Sequence, residues 1–310
     1  MKNVIKIKNL VKQYGELVAV DGISFEVKEG EIFGLLGENG AGKTTTLEII
    51  EGLRRATSGE TEVLGHKIPN ELRIIKKKIG VQLQSSAYYN HLKLTEILEL
   101  FAVFYNHEID AVKLLESVQL ELKKDAYVSQ LSGGQKQRFS IVASLVNDPE
   151  IVFLDEPTTG LDPIARRNLW ELIKDIRDRG KTVVLTTHYM EEAEILCDRI
   201  AIMEKGKIVA YDKTNNLVKR AIFPYSVSFE TEVNDEKVMK NLEQFGVVSQ
   251  PGKKKYYLLQ MKDSDKLGDA IDVVRKFAPI GLAVRPASLE DVFVELTGKV
   301  ILPAEKEANA

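Results

Sequence analysis

The sequence predicts an α/β protein, with a core built on a parallel sheet and a smaller α+β domain after it. Two short, wholly apolar segments, 151–154 and 183–185, fit strands buried on both faces, as parallel strands are. Between them a helix opens at Asp162-Pro163 and closes at Gly180, with the matching cap chemistry. Such alternation of strand and helix indicates crossover units. After about Leu217 the style changes to half-exposed strands and short amphipathic helices.

Residues 1–30 alternate in hydropathy. Val4, Ile5 and Ile7, then Val18 and Val20, then Phe25 and Val27 predict short strands separated by Gly15 and Gly22. A strand over 31–36 runs into glycines, and Leu47, Ile49 and Ile50 mark the helix that follows. Leu94, Ile97, Leu98, Phe101 and Tyr105 recur at helical spacing, with Thr95 placed to start the first turn. Residues 94–146 read as mostly helical, so a helical subdomain is expected over about 86–146. Further on, Val227 and Phe229 predict a strand, and Val238, Leu242 and Phe245 a helix. Pro251-Gly252 marks a turn before a strand over 256–261. Leu267, Ile271, Val274 and Phe277 share a helical face, a short strand covers 282–284, and Ser288 with Asp291 caps a last helix that ends at Gly298. These elements suggest a split βαβ arrangement. The expected domains are 1–217 and 218–302, with a disordered tail over 303–310.

A chain of 310 residues exceeds what one core usually serves, which agrees with two domains. The net charge of −3 gives little bulk attraction to nucleic acid, so no nucleic-acid partner is expected. Basic runs at Lys76, Lys77, Lys78 and at Lys253, Lys254, Lys255 read as solvated faces. Cys197 is the single cysteine, which excludes an internal disulfide and points to a reducing compartment. The first ten residues lack the apolar core of a signal peptide. No stretch approaches the roughly 18 apolar residues that cross a bilayer, so a membrane role is expected to come through a partner.

Gly37-Glu38-Asn39-Gly40-Ala41-Gly42-Lys43-Thr44 satisfies every fixed position of the phosphate-binding loop G-x-x-x-x-G-K-[ST], with a predicted strand before it and a helix after it. Glycines at 37, 40 and 42 let backbone amides approach phosphates, and the helix N-terminus adds its positive end. Lys43 can neutralise the β and γ phosphates and Thr44 can ligate magnesium, with Asn39 and Thr45 also placed at the nucleotide. Asp155 ends the apolar strand over 151–154, where a second carboxylate can reach that magnesium. Glu156 follows, suited to act as general base on a water beside the γ phosphate. Farther along, Ser132 and Gln135 form a capping box. Capping does not account for Gly133 and Gly134 in the first turn, where they weaken a helix. Bare amides at a helix start make an anion site.

Leu131-Ser132-Gly133-Gly134-Gln135, followed by Lys136, Gln137 and Arg138, resembles the signature of ABC ATPases. The rest of that family's set follows in order over about the first 215 residues. Tyr14 resembles the aromatic residue that stacks on adenine, Gln84 the Q-loop glutamine, Asp162 the D-loop aspartate, and His188 the switch histidine. The resemblance implies a P-loop NTPase (RecA-like) core with an N-terminal antiparallel β subdomain and a helical signature subdomain. It implies ATP and Mg2+ as ligands, and two ATPase subunits, here a homodimer, paired head to tail. Each ATP would lie between one subunit's phosphate loop and the Ser132, Gly133, Gly134, Gln135 and Asp162 of the other. Glu156, His188 and Gln84 would serve hydrolysis, and Thr44, Asp155 and Gln84 the metal. The ending Ser288-Leu289-Glu290-Asp291-Val292-Phe293, before Leu296-Thr297-Gly298, resembles the ABC-2-type exporter ATPases for drugs, antibiotics and sodium. The implied protein is therefore the ATP-hydrolysing subunit of an exporter, cytoplasmic and held at the inner face of the membrane by a separate permease. The alternative is a soluble ABC ATPase acting on nucleic acid or ribosomes. Such proteins usually carry two cassettes or a long coiled coil, whereas this chain has one cassette and no heptad run.

Overall fold

The structure is a computed structural model that describes residues 2–82, 88–233, 235–250 and 255–298. The chain divides into two compact units, Met1–Thr214 and Asn215–Ala310. The division falls inside a short helix, three residues before the sequence-based boundary at 217.

The first unit contains two sheets. β1 (Asn3–Tyr14) and β2 (Leu17–Lys28) form a long hairpin, and β3 (Ile32–Leu36) then feeds α1 (Lys43–Ile50). β4 (Ser58–Val63) and β5 (His66–Ile68) complete an antiparallel sheet of order β2-β1-β4-β5. The several short strands expected over residues 1–30 are thus two strands of 12 residues each. Gly22 does not break β2. It sits in a bulge, with φ of 66°, where pairing steps from Leu10↔Ile23 to Lys12↔Val20.

The chain continues through α2 (Leu72–Ile75), β6 (Ile79–Gln82), α3 (Leu94–Tyr105), α4 (Ala111–Glu116), α5 (Gly133–Ala143) and β7 (Ile151–Asp155). It then runs through α6 (Pro163–Asp178), β8 (Thr182–Thr187), α7 (Met190–Leu196), β9 (Arg199–Glu204) and β10 (Lys207–Lys213). The core sheet has the order β10-β9-β3-β8-β7-β6, parallel from β9 to β6, with β10 antiparallel at one edge. Every residue of β3, β7 and β8 is buried, which is why these strands read as unbroken apolar runs. Phe33 of β3 stacks on Phe25 of β2 at 5.2 Å, so one hydrophobic core serves both sheets.

α3 begins at Leu94, where the helical spacing starts, but its cap is not Thr95. Lys93 is its cap, and the Glu96 carboxylate accepts from the Lys93 N–H at 2.8 Å. Thr95 lies within the first turn, and its hydroxyl donates to the Lys124 carbonyl at 3.3 Å. α6 has the cap chemistry the sequence predicts: Asp162 Oδ1 accepts from the N–H groups of Ile164 and Ala165 at 3.0 and 2.9 Å. Such a cap is worth about 1 kcal/mol.

The second unit begins within α8 (Thr214–Lys219). It continues with β11 (Tyr225–Glu230), α9 (Asp235–Leu242), β12 (Val247–Ser249), β13 (Tyr256–Met261), α10 (Leu267–Arg275), β14 (Ile280–Pro286) and α11 (Leu289–Thr297). Its sheet order, β12-β13-β11-β14, is antiparallel throughout, with a helix after the first and third strands. This is a split βαβ arrangement. Val227, Phe229, Tyr257 and Leu259 pack with Val238, Leu242 and Val274 in a core of their own. Ser288 and Asp291 form the expected capping box, and Arg285 holds Asp291 through two hydrogen bonds of 2.6 and 2.9 Å. The expected turn at Pro251-Gly252 and the tail over 303–310 lie outside the described residues.

Candidate active site

The sheet delivers the chemistry at the C-terminal ends of β3, β7 and β8, where open α/β sheets hold ligands. The loop after β3 is pressed onto backbone from two other strands. A Cβ on Gly37 would lie 2.4 Å from the Met203 carbonyl oxygen, and one on Gly42 would lie 2.4 Å from that of Ala19. Gly42 also has φ of 99° and provides no side-chain cap to α1. The first N–H groups of α1 therefore face the loop concavity free of a capping side chain, an arrangement that favours an anion. Asn39 and Gly40 are exposed at the loop tip, and Thr45 lies in the first turn of α1.

Lys43 is buried, and its Nζ donates to the carbonyls of Gly37 and Glu38 at 2.8 and 3.1 Å. It also lies 3.3 Å from Glu156 Oε1. Burial pushes the Lys43 ammonium below the usual lysine range, and the Glu156 charge opposes that shift.

Asp155 is the last residue of β7. Its Oδ1 accepts from the hydroxyls of Thr44 and Thr186, at 3.1 and 2.5 Å. Burial pushes its carboxyl up, and the two hydroxyls hold it down. Glu156 has φ of 46°, in the left-handed region, which costs an ordinary residue roughly 1–2 kcal/mol. Its N–H donates to Thr186 Oγ1 at 2.9 Å, so one hydroxyl from β8 ties together the backbone of one acid and the side chain of the other. Glu156 Oε2 accepts from the Thr159 hydroxyl at 3.1 Å and lies 3.3 Å from His188 Nδ1. That His188 contact has ion-pair distance without hydrogen-bond alignment. His188, then Lys43 and Thr159, pull the Glu156 carboxyl down to about 2 against the opposing effect of burial. The carboxylate thus stays ionised at neutral pH beside a buried cation.

A second group gathers elsewhere on the same unit. Ser132 Oγ accepts from the Gln135 N–H at 3.3 Å, and Gln135 Oε1 accepts from the Ser132 N–H at 2.9 Å, which completes the capping box. Ser132, Gly133, Gly134 and Gln135 line a groove of about 350 Å³ together with Arg138 and Asp162. None of the groove's lining residues comes from the phosphate loop, Asp155, Glu156 or His188. A Cβ on Gly134 would lie 3.3 Å from Ala165 Cβ, whereas one on Gly133 would meet nothing within 4 Å. The fold of this chain therefore does not require a glycine at 133.

Tyr14, at the end of β1, is partly exposed, with Lys12 Nζ 4.7 Å and the Arg54 guanidinium 5.4 Å from its ring centroid. Gln84 lies outside the described residues. Of the residues singled out from the sequence, Lys43, Thr44, Asp155, Glu156 and His188 converge, while the Ser132–Gln135 turn and Asp162 share the separate groove. Thr186 and Thr159 belong to the converging group, although sequence reasoning gave them no role. The signal for Thr186 was a hydroxyl directly after the apolar run 183–185, two residues before a histidine.

Thr44 and Asp155 offer two hard oxygen atoms side by side, a donor set that suits magnesium. Among the described residues no three or more His, Cys, Asp or Glu side chains cluster as a metal cage. Magnesium at phosphate-transfer sites uses one or two carboxylates and otherwise water and substrate phosphates, so the fit is adequate.

The family model described as ABC transporter matches residues 20–159. The Nod factor export ATP-binding protein I of Ralstonia nicotianae is 36% identical over 304 residues, which is 96% of this chain and 94% of that one. The protein of the same name from Burkholderia orbicola is 42% identical over 223 residues, 70% of this chain and 73% of that one. Among solved structures, the dimeric post-hydrolysis state of the ATP-binding cassette MJ0796, bound to ADP and Pi, aligns with a TM-score of 0.61 at 32% identity. It covers 67% of this chain and 98% of that one. An ATP binding subunit of an ABC transporter aligns with a TM-score of 0.63 at 28% identity, covering 70% and 92%.

Proposed function

Because this chain belongs to the ABC transporter family, as an ATP-binding and ATP-hydrolysing subunit, we propose that it drives export through a separate membrane-spanning chain and works as a head-to-tail pair of identical copies. Relatives named for export align over nearly their whole length, which supports the direction. No helix among the described residues is long and apolar enough to cross a membrane. In this reading the translocation path belongs to the partner, which holds this subunit at the inner membrane face.

The observation that carries the pairing is the groove at Ser132, Gly133 and Asp162. It has the amides of a helix start and a glycine that its own chain does not require, yet it lies apart from the phosphate loop. A second copy can place its nucleotide there.

The reacting group then works by exchange of partners. As phosphates enter the loop, Lys43 trades the carbonyls of Gly37 and Glu38 for phosphate oxygens and loosens its hold on Glu156. With that cation drawn away, the Glu156 carboxylate becomes more basic and accepts a proton from a water beside the γ phosphate. His188, already within 3.3 Å of Glu156 Oε2, steadies the γ phosphate and the position of that water. Magnesium, held by Thr44, Asp155 and Gln84, would supply charge neutralisation at the phosphates. Tyr14 stacks on the adenine.

The test is sedimentation velocity in the Glu156→Gln background. ATP should convert monomer to dimer, and adding Ser132→Arg should weaken that shift, because it places bulk and charge in the groove. Undiminished dimerisation in the double variant would refute phosphate binding in trans.

A further inference from the structure

One buried polar cluster has no part in the chemistry above. Glu192 of α7 is 0% exposed. Its Oε1 accepts from the indole N–H of Trp170, on α6, at 3.0 Å. Burial pushes its carboxyl up, while the hydroxyls of Thr187 and Thr158 favour the charged form. Glu192 Oε2 and Thr158 Oγ1 are both buried, and neither has a hydrogen-bond partner in the structure. A second contact crosses the same two helices: the Arg166 guanidinium lies over the Tyr189 ring at 4.3 Å. Arg166 and Trp170 are one turn apart on α6, as are Tyr189 and Glu192 at the start of α7.

A seam between two amphipathic helices does not need this chemistry. Leucine and phenylalanine would fill the space without the desolvation that a buried carboxyl suffers. What polar contacts add is direction, since each hydrogen bond is satisfied in one relative placement and lost in others. The segments so joined are the ones that bear functional residues. Thr187 immediately precedes His188, and its Oγ1 also accepts from the Tyr189 N–H at 3.0 Å. Thr158 lies two residues beyond Glu156, in the turn that leads to Asp162, the cap of α6.

We propose that Glu192 is a positioning residue which, through its bond to Trp170, holds α7 and the His188 loop before it against α6 and its cap Asp162 in one fixed register. His188 and Asp162 then move as a block when α6 shifts. The inference rests on the roles proposed above for these two residues.

Trp170 is the chain's single tryptophan, so its emission reports directly on the contact. The experiment compares full-length Glu192→Met, which keeps length and removes both oxygens, with Glu192→Gln, which keeps an acceptor for the indole. Phosphate release and ATP affinity are measured on each. Glu192→Met should lose about tenfold or more in kcat with KM for ATP changed less than about twofold, because the phosphate loop is untouched. Glu192→Gln should stay within about threefold of the parent. In the Glu156→Gln background, ATP should change the Trp170 emission, and Glu192→Met should abolish that change. A Glu192→Met chain with parental kcat overturns the proposal, as does one whose KM rises in step with the loss of kcat. If Glu192→Met does not fold, Trp170→Phe decides. A loss of about threefold in kcat at constant KM supports the proposal, and an unchanged kcat overturns it. Glu156→Gln is run in parallel. If it keeps its turnover, the reading of the site fails and this inference falls with it. If Glu156→Gln is inert while Glu192→Met is fully active, the positioning role alone is wrong.

Discussion

Replacing Glu156 by glutamine separates binding from hydrolysis more cleanly than any other single change. The carboxyl is held at about 2 rather than 4.5, so its surroundings favour the charged form by about 3 kcal/mol, at about 1.36 kcal/mol per unit. Part of that preference is the Lys43 ion pair at 3.3 Å, which must loosen before Lys43 can engage phosphate. Glutamine has no charge with which to compete for Lys43, so the variant should bind ATP as tightly as the parent or a few-fold tighter. It has no basic oxygen to take a proton from water either, and a lost general base costs about 10²–10⁴ in rate. That is roughly 3–5 kcal/mol on the barrier. Phosphate release at saturating ATP and magnesium measures the first effect, and equilibrium nucleotide titration measures the second. Turnover within tenfold of the parent would remove Glu156 from the base role. A dissociation constant that worsens as much as turnover would show that the lysine exchange is wrong.

Three further outcomes follow from the same geometry. Thr186→Val should leave the Glu156 N–H without its buried acceptor and strip one bond from Asp155, for a loss of about 1–3 kcal/mol and a fall of several degrees in Tm. Thr186→Ser should recover most of it, and an unchanged Tm for the valine variant would contradict the shared-hydroxyl arrangement. The Glu156 carboxyl is depressed on folding, so its contribution is fully present above the ordinary carboxylate value of 4.5 and is lost as pH falls from there through about 2. Glu156→Gln should accordingly flatten the acid limb of stability, read as the urea midpoint between pH 5 and 3, and an unaltered limb would refute the shift. A chain ending at Leu217 should fold by circular dichroism and bind ATP with similar affinity, because every described residue assigned to the nucleotide precedes Thr214. A folded truncate that fails to bind would place part of the site in the second unit.

The parts of this site that were legible in the sequence are those where chemistry demands a spacing. The loop from Gly37 to Thr44, the acids after an apolar strand, and Ser132 with its glycines all stand out because a different order would not work. Thr186 was easily passed over for a physical reason: threonine is a good strand former, so a buried threonine in β8 reads as packing until its hydroxyl is seen between two acids. The fold shows the same divide. Fully buried strands such as β7 and β8 announce themselves, but glycine carries two meanings. At Gly15 it turns a hairpin, and at Gly22 it absorbs an extra residue inside a continuing strand. Only pairing with β1 tells the two apart. Thr95 was similarly plausible as the start of α3, yet the Glu96 carboxylate reached the Lys93 N–H and set the start there. In the second unit, β12 has three residues, too few for a hydropathy period to register.

The glycines of the two turns proposed to bind phosphate should behave as two populations in a saturation mutagenesis experiment that scores cellular abundance apart from transport. Alanine at Gly37 or Gly42 drives a methyl group into a carbonyl oxygen of this same chain, so those variants should be depleted before activity is ever sampled. Alanine at Gly133 meets open space on a helix, where it is the better former, so that variant should accumulate at normal or higher levels and yet fail to support export. Intolerance without instability at that one position would be the imprint of a second molecule on the sequence of the first.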